Sequence, residues 1–315
     1  ALAVTPQREV IVAGSAGGTE AFVAKYSPAG ELLWNTGLGR NSHSSARSIA
    51  VAPDGQIYLT AEFTGTIGFP DRIVSGGPSV LAALAPDGHI VWGRQLPVGG
   101  KVHSSSDGHA IVVGTVDTST TVGDTMIDLT RDPDLFAAEL DHDGALRAVH
   151  TFGEFGVRHL NVESTLDASD RIGAAANGLM RADSPLETLL DGSDHAMWSA
   201  TLASGGGEAF AVATTDDSVI TAGQITTDGF DPGDGAHVGD TYLTARDESG
   251  SLVDARVFGD PSLGQSDGIR ALAVGPSGEV GFAGFIDQPI DFGSGPVVSS
   301  GIFEQSSLVI GVLAP

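Results

Sequence analysis

Apolar and polar positions along this chain fall into short runs of about four to eight residues with polar turns between them, and the runs recur. Residues 48–61 read as an apolar strand, the turn Ala-Pro-Asp-Gly at 52–55, and a second apolar strand. The same grammar returns at 271–284 and 1–14, more weakly at 103–114 and 210–223, and in degenerate form at 160–176. Alternation bounded by Asp-Gly or similar dipeptides is the signature of a β-hairpin, and no stretch carries the 3.6-residue stripe of an amphipathic helix. With Gly14, Ala61, Gly114, Ala176, Gly223 and Gly284 as anchors, the spacing is roughly 47 to 62 residues, near or somewhat above the period of propeller blades.

The second half of each unit repeats as well. Residues 21–34, 80–92, 135–147 and 242–253 each predict a third strand, a turn and a fourth strand. Gly-rich exits follow at Gly37 to Gly39, Phe152-Gly153 and Phe258-Gly259, where a residue without Cβ lets the chain turn into the next unit. Four strands per unit is the propeller blade. The expected fold is therefore all-β: a single β-propeller domain over 1–315, with about six four-stranded blades at 1–44, 45–100, 101–155, 156–206, 207–264 and 265–315. Two units depart from the pattern. In the fourth, residues 195–202 run into Gly205-Gly-Gly207 with no room for both a third and a fourth strand, which predicts a shortened or three-stranded blade. The sixth ends at 307–315 on a third strand, so its last strand is missing and the chain is either a ring closed on a three-stranded blade or a fragment of a larger one.

Composition narrows the function. Forty-four glycines among 315 residues are about twice the usual share. With 41% apolar and only 17% charged residues, that count means many tight turns rather than disorder. Forty acidic against fifteen basic residues give a net charge of −25, and only Lys25 and Lys101 are lysines. Such a surface repels a phosphate backbone, so nucleic acid is excluded as a partner. The absence of cysteine excludes disulfides, thiolate metal sites and thiol nucleophiles. No run of about 18 apolar residues marks a transmembrane segment, and no basic-then-apolar leader opens the sequence as given.

The unit from Ser45 to Leu96 carries a resemblance to a known family. Its pieces are Ala-Arg-Ser-Ile-Ala-Val-Ala-Pro-Asp-Gly at 46–55, Gly65-Thr-Ile-Gly-Phe69, Ser75-Gly-Gly77 and a strand pair ending at Trp92. Asp291-Phe-Gly-Ser-Gly-Pro-Val297 repeats the middle loop. It resembles the long repeats of the seven-bladed β-propeller type found in bacterial secreted and surface proteins. That resemblance implies an exported bacterial protein, extracytoplasmic, in a surface assembly or anchored as a lipoprotein; on activity it is silent, because propellers are scaffolds for unrelated functions. Gly-x-x-x-Trp at Gly30 to Trp34 and Gly88 to Trp92 is also similar to the tryptophan-docked blades of quinoprotein dehydrogenases. Ala148 and Asp254 stand where further tryptophans belong, and no cysteine pair exists, so an oxidoreductase is disfavoured.

Candidate chemistry is sparse. His43, His89, His142, His195 and His237 fall in turns or strand beginnings of different units, and no pair has the His-x-x-x-His spacing of a helical zinc site. His103 and His109 flank one hairpin turn and read as surface hairpin residues rather than a ligand pair. No Gly-x-Ser-x-Gly elbow, Walker loop or dinucleotide fingerprint occurs in its required context. Calcium is the one cofactor to consider, with Asp228, Asp231 and Asp234 in one loop and Asp141 and Asp143 in another as candidate ligands. None of these loops has the twelve-residue pattern with its closing glutamate, and aspartate is equally at home bonding the amides of a turn. Trp34 and Trp92 read as packing between blades; Trp198, in the aberrant unit, is the candidate partner contact. The expected function is a noncatalytic scaffold for protein recognition or surface assembly. The alternative is a carbohydrate or small-ligand module using the channel or the long loops between second and third strands, and a lyase or hydrolase ranks third.

Overall fold

The computed structural model describes all residues except 17–19, 39–42, 117–118, 123–124, 128–133, 153–158, 179–185, 192–195, 202–206, 216, 226–229, 260–267, 276, 287–288, 294, 298–306 and 314–315. No helix is present among the described residues. The strands form six antiparallel sheets in sequence order, the blades of a six-bladed β-propeller. The chain divides into two compact units, Ala1–Gly156 with the first three blades and Val157–Pro315 with the last three.

In the first unit, blade one is built from Leu2–Val4, Val10–Ala16, Glu20–Tyr26 and Leu32–Leu38. Blade two comprises His43–Val51, Ile57–Thr64, Ser79–Leu84 and Ile90–Leu96, its first strand starting two residues ahead of the expected boundary. Blade three comprises Lys101–Ser104, Ala110–Val116, Asp134–Leu140 and Leu146–Phe152. In the second unit, blade four comprises His159–Leu166, Ile172–Gly178, Leu186–Leu190 and Ala196–Thr201, and blade five Gly207–Thr214, Ser218–Ile225, Thr241–Asp247 and Leu252–Phe258. Blade six has three strands, Gly268–Val274, Val280–Ile286 and Ser307–Leu313. Within each unit the first strands of consecutive blades lie against one another.

The fourth blade is shortened but keeps four strands. Residues 196–201 form its fourth strand, and the third lies ahead of that run, at Leu186–Leu190, so both strands fit before Gly205. Among the described residues the sixth blade has no fourth strand, in line with the expectation from sequence.

The turns explain the glycine count. In the Asp-Gly turns at 52–55, 105–108 and 141–144 the glycine amide returns to a carbonyl three residues back, Gly55 to Ala52, Gly108 to Ser105 and Gly144 to Asp141, and each glycine has a positive φ (91°, 89° and 73°). Arg8 and Asp170 take the same left-handed position in the two turns whose sequence had drifted. That conformation costs an L-residue roughly 1–2 kcal/mol, which fits its being glycine elsewhere. The longer connections from second to third strand fold on themselves as small hairpins, Thr66–Gly68 with Ile73–Ser75 and Thr120–Val122 with Thr125–Ile127.

Cores form between blades. Ile11, Val23, Leu38, Ile57, Leu59 and Phe69 fill one between blades one and two. Tyr58, Leu81, Trp92, Val112 and Phe136 fill the next. A repeated clasp closes these junctions: a tryptophan on the fourth strand of one blade lies on the turn glycine between the third and fourth strands of the next. A Cβ on Gly88 would stand 2.6 Å from Trp34, one on Gly144 2.8 Å from Trp92, and one on Gly250 2.8 Å from Trp198. The Trp34 and Trp92 indoles also donate to the carbonyls of Pro86 (3.1 Å) and His142 (2.6 Å) in those turns. Thr36 and Arg94 add bonds to the carbonyls of Gly88 and Gly144. Between blades four and five a buried ion pair joins the clasp: Arg246 Nε donates to Glu187 at 2.7 Å, and Thr244 donates to the other carboxylate oxygen.

Candidate functional site

Three regions carry the candidate chemistry. The first lies at the Asp-Gly turns of blades two and three. The hairpin turn at 105–109 is tied by Ser105, whose hydroxyl donates to Asp107 Oδ1 and accepts the His109 amide. That bond holds the Asp107 carboxyl below the usual carboxylate range, against a smaller opposing effect of burial. The other oxygen, Oδ2, stands 3.4 Å from His109 Nδ1, and the same nitrogen is 2.5 Å from Glu139 Oε1. Glu139 arrives through strand register, since it sits opposite Ile111 where the second and third strands pair. His142, from the next turn, meets the His109 ring edge-on at 5.6 Å between centroids. Its Nε2 is 3.2 Å from the Asp107 carbonyl, and its Nδ1 faces Gln56 of blade two. The Tyr58 hydroxyl donates to the Gly108 carbonyl at 2.7 Å, and burial pushes its pKa up. Among the described residues, Asp107, His109 and Glu139 are the group whose donor atoms converge closely enough to share a metal ion.

His103 and His109, which flank this hairpin turn, meet different partners. His103 lies opposite Ile111 on the first strand of blade three, and burial together with Lys101 pushes it down to about 4. His109 faces Glu139 and His142 instead. The signal available in sequence was only the Asp-Gly-His run at 107–109; its partners come from positions 30 and 33 residues on, which only register identifies.

The second region is a cleft of about 830 Å³ on the flank of blades two and three, where Arg72, Gly77, Arg94, Gln95, Thr120 and Leu146 are among the lining residues. Arg94 is fixed there. It stacks 5.1 Å from the Trp92 ring centre and donates to the Asp143 and Gly144 carbonyls and, at 2.6 Å, to Asp71. Burial would raise the Asp71 carboxyl, but Arg94 and then Arg72 bond to it and hold it low.

The third region is the edge of blade six. Its last strand has no further neighbour among the described residues, and Leu308, Ile310 and Val312 are 64%, 74% and 69% exposed on one face of it.

The other candidates take structural places. Asp231 Oδ1 accepts the amides of Gly233 and Gly235, which lowers its pKa, and Asp234 meets His237 Nε2 at 2.7 Å. Asp141 Oδ1 accepts the amides of Asp143 and Ala145, while the Asp143 carbonyl receives Arg94. Asp228 lies outside the described residues, as does His195. Trp198 is 8% exposed, packed on Gly250, with its indole nitrogen buried and without an acceptor among the described residues.

No family model matches the chain, and no curated protein matches it. Solved structures do. A protein of unknown function from Dyadobacter fermentans is similar at TM-score 0.55 and 10% identity, over 99% of this chain and 93% of that one. Another of unknown function, from Bacteroides caccae, gives 0.50 and 14% over 87% and 81%, and the polysaccharide lyase Uly1 gives 0.50 and 11% over 97% and 82%. At such identities the likeness is one of fold alone.

Proposed function

We propose that this protein is a noncatalytic propeller scaffold that recognises a protein partner by taking an extended strand of that partner onto the open edge of blade six. The observation that carries this reading is the exposed row Leu308, Ile310 and Val312 on a strand whose outer side has no neighbour among the described residues. Native sheets blunt or cover such edges, because unpaired backbone groups beside an apolar face template the addition of another strand. The place is defined by the rest of the molecule, since in five of the six blades a fourth strand occupies it. The occupant fitting it is a segment of about seven residues alternating apolar and polar, pairing antiparallel to Ser307–Leu313 as Ile90–Leu96 pairs with Ser79–Leu84. Resemblance to the repeats of exported bacterial proteins supports an extracytoplasmic setting, with a surface assembly as the partner.

A labelled peptide copying residues 90–96 is the probe. It is expected to bind the full chain, and Ile310→Lys is expected to weaken binding at least tenfold with the folded state intact. No saturable binding, or equal binding by the variant, would overturn the proposal.

The Arg72 and Arg94 cleft favours a second reading, a module for a small anionic or hydroxylated ligand. Its volume is in the usual range for ligand sites, and its lining includes Arg72 and Arg94, which share Asp71 as a partner, on a chain of net charge −25. The described lining holds no histidine and no carboxylate, which suits holding a ligand rather than transferring protons. Calorimetric titration with uronic-acid oligosaccharides, compared between the native chain and Arg72→Ala, tests it: heat of binding lost in the variant supports the cleft, and none in either excludes this ligand class.

A further inference from the structure

We propose that Asp107, His109 and Glu139 form a zinc site at the turn end of blade three. Their donor atoms lie within 4.8 Å of one another, and one nitrogen, His109 Nδ1, faces both carboxylates. Zinc bonds of about 2.0–2.2 Å in a tetrahedron place neighbouring ligand atoms about 3.3–3.5 Å apart. Asp107 Oδ2 and His109 Nδ1 already have that separation, at 3.4 Å. Glu139 Oε1, at 2.5 Å, has to draw back by under about 1 Å. Its side chain is 34% exposed, so solvent leaves it room to do so, whereas His109, 13% exposed, stays fixed. Three protein ligands leave the fourth position for water.

The surroundings orient these ligands as the outer shell of a metal site does. Ser105 occupies Asp107 Oδ1 and thereby turns Oδ2 toward the imidazole. His142 braces the His109 ring, and is itself held by the Asp107 carbonyl and Gln56. One imidazole with two carboxylates selects zinc over calcium, which takes six to eight oxygens. Asp231 and Asp141 stand outside this group: among the described residues it is Asp107, His109 and Glu139 whose ligand atoms lie within 4.8 Å of one another.

The test is zinc titration of the full chain against a chromophoric chelator, in high salt to suppress diffuse cation binding by the acidic surface, with calcium in parallel. The expected result is one zinc per chain, affinity reduced at least tenfold in both His109→Ala and the near-isosteric Glu139→Gln, and no change in Asp231→Asn. Cobalt substituted for zinc is expected to show the strong visible absorption of a tetrahedral centre in the native chain and not in Glu139→Gln, a readout that loss of folding is separated from by the circular dichroism of the same samples. Stoichiometric binding undiminished in His109→Ala, equal competition by calcium, or no binding above that of Asp107→Asn would overturn it.

Discussion

The junction between blades two and three and the edge of blade six are built from the same repeat, and only one of them is closed. At the junction a fourth strand delivers Trp92 onto Gly144 and Arg94 onto the Gly144 and Asp143 carbonyls, so apolar burial and polar satisfaction come from two residues set two apart on one strand face. At the edge no fourth strand is present among the described residues, and Leu308, Ile310 and Val312 stay in water. The difference teaches that a blade's outermost strand serves chiefly to hold the next blade. A third strand is well formed without it, since Ser307–Leu313 pairs along its whole length with Val280–Ile286.

Perturbing the closed side has the largest expected effect. Trp92→Ala removes a buried ring and leaves Gly144 without its cover, and should cost about 3–5 kcal/mol in denaturant-monitored unfolding of the first unit. Slightly less is expected from Glu187→Gln, about 3 kcal/mol, because Arg246 stays charged and buried beside a neutral amide. If both cost less than about 1 kcal/mol, the junctions are no firmer than a surface contact and the contrast with the open edge collapses.

A smaller effect comes from pH. His103, on the first strand of blade three beside blade two, is pushed down to about 4 from its ordinary 6.5. Between those values the unfolded chain binds a proton that the native junction refuses. Its contribution is thus whole above about pH 6.5 and is lost as the pH falls toward 4, by at most about 3 kcal/mol. Equilibrium unfolding of His103→Gln and the native chain across that range should therefore converge as the solution is acidified. Parallel curves would mean that the histidine takes its proton in the folded state. At the open edge Ile310→Lys should change stability by no more than about 0.5 kcal/mol in the same assay, since a side chain already in water loses little, while strand binding is lost. A large destabilisation there would mean that the edge is covered within the molecule.

What the sequence made legible follows from what repeats. Strand, turn and strand could be read wherever Pro-Asp-Gly or its like kept its place, because left-handed turns tolerate few residues and so mark themselves. The third strand of blade four was invisible for a physical reason: Leu-Glu-Thr-Leu-Leu at 186–190 carries a buried charge at its second position, and the arginine that pairs with it stands 59 residues away in blade five. Trp198 looked available for a partner for the same kind of reason, since the glycine it covers belongs to the following blade. The convergence of His109, Glu139 and His142 was hidden most fully. No spacing along the chain encodes it; it needs the pairing of Ile111 with Glu139 and the approach of two turns.

The tryptophan clasps have a practical side. The chain contains three tryptophans, on the fourth strands of blades one, two and four, and each ring rests on the blade after its own. Indole emission from any one of them therefore reports on its neighbour. With the other two replaced by phenylalanine, Trp34 becomes a fluorescent clock for the opening of blade two, Trp92 for blade three and Trp198 for blade five, so the order in which the blades come apart can be read in one cuvette from native side chains.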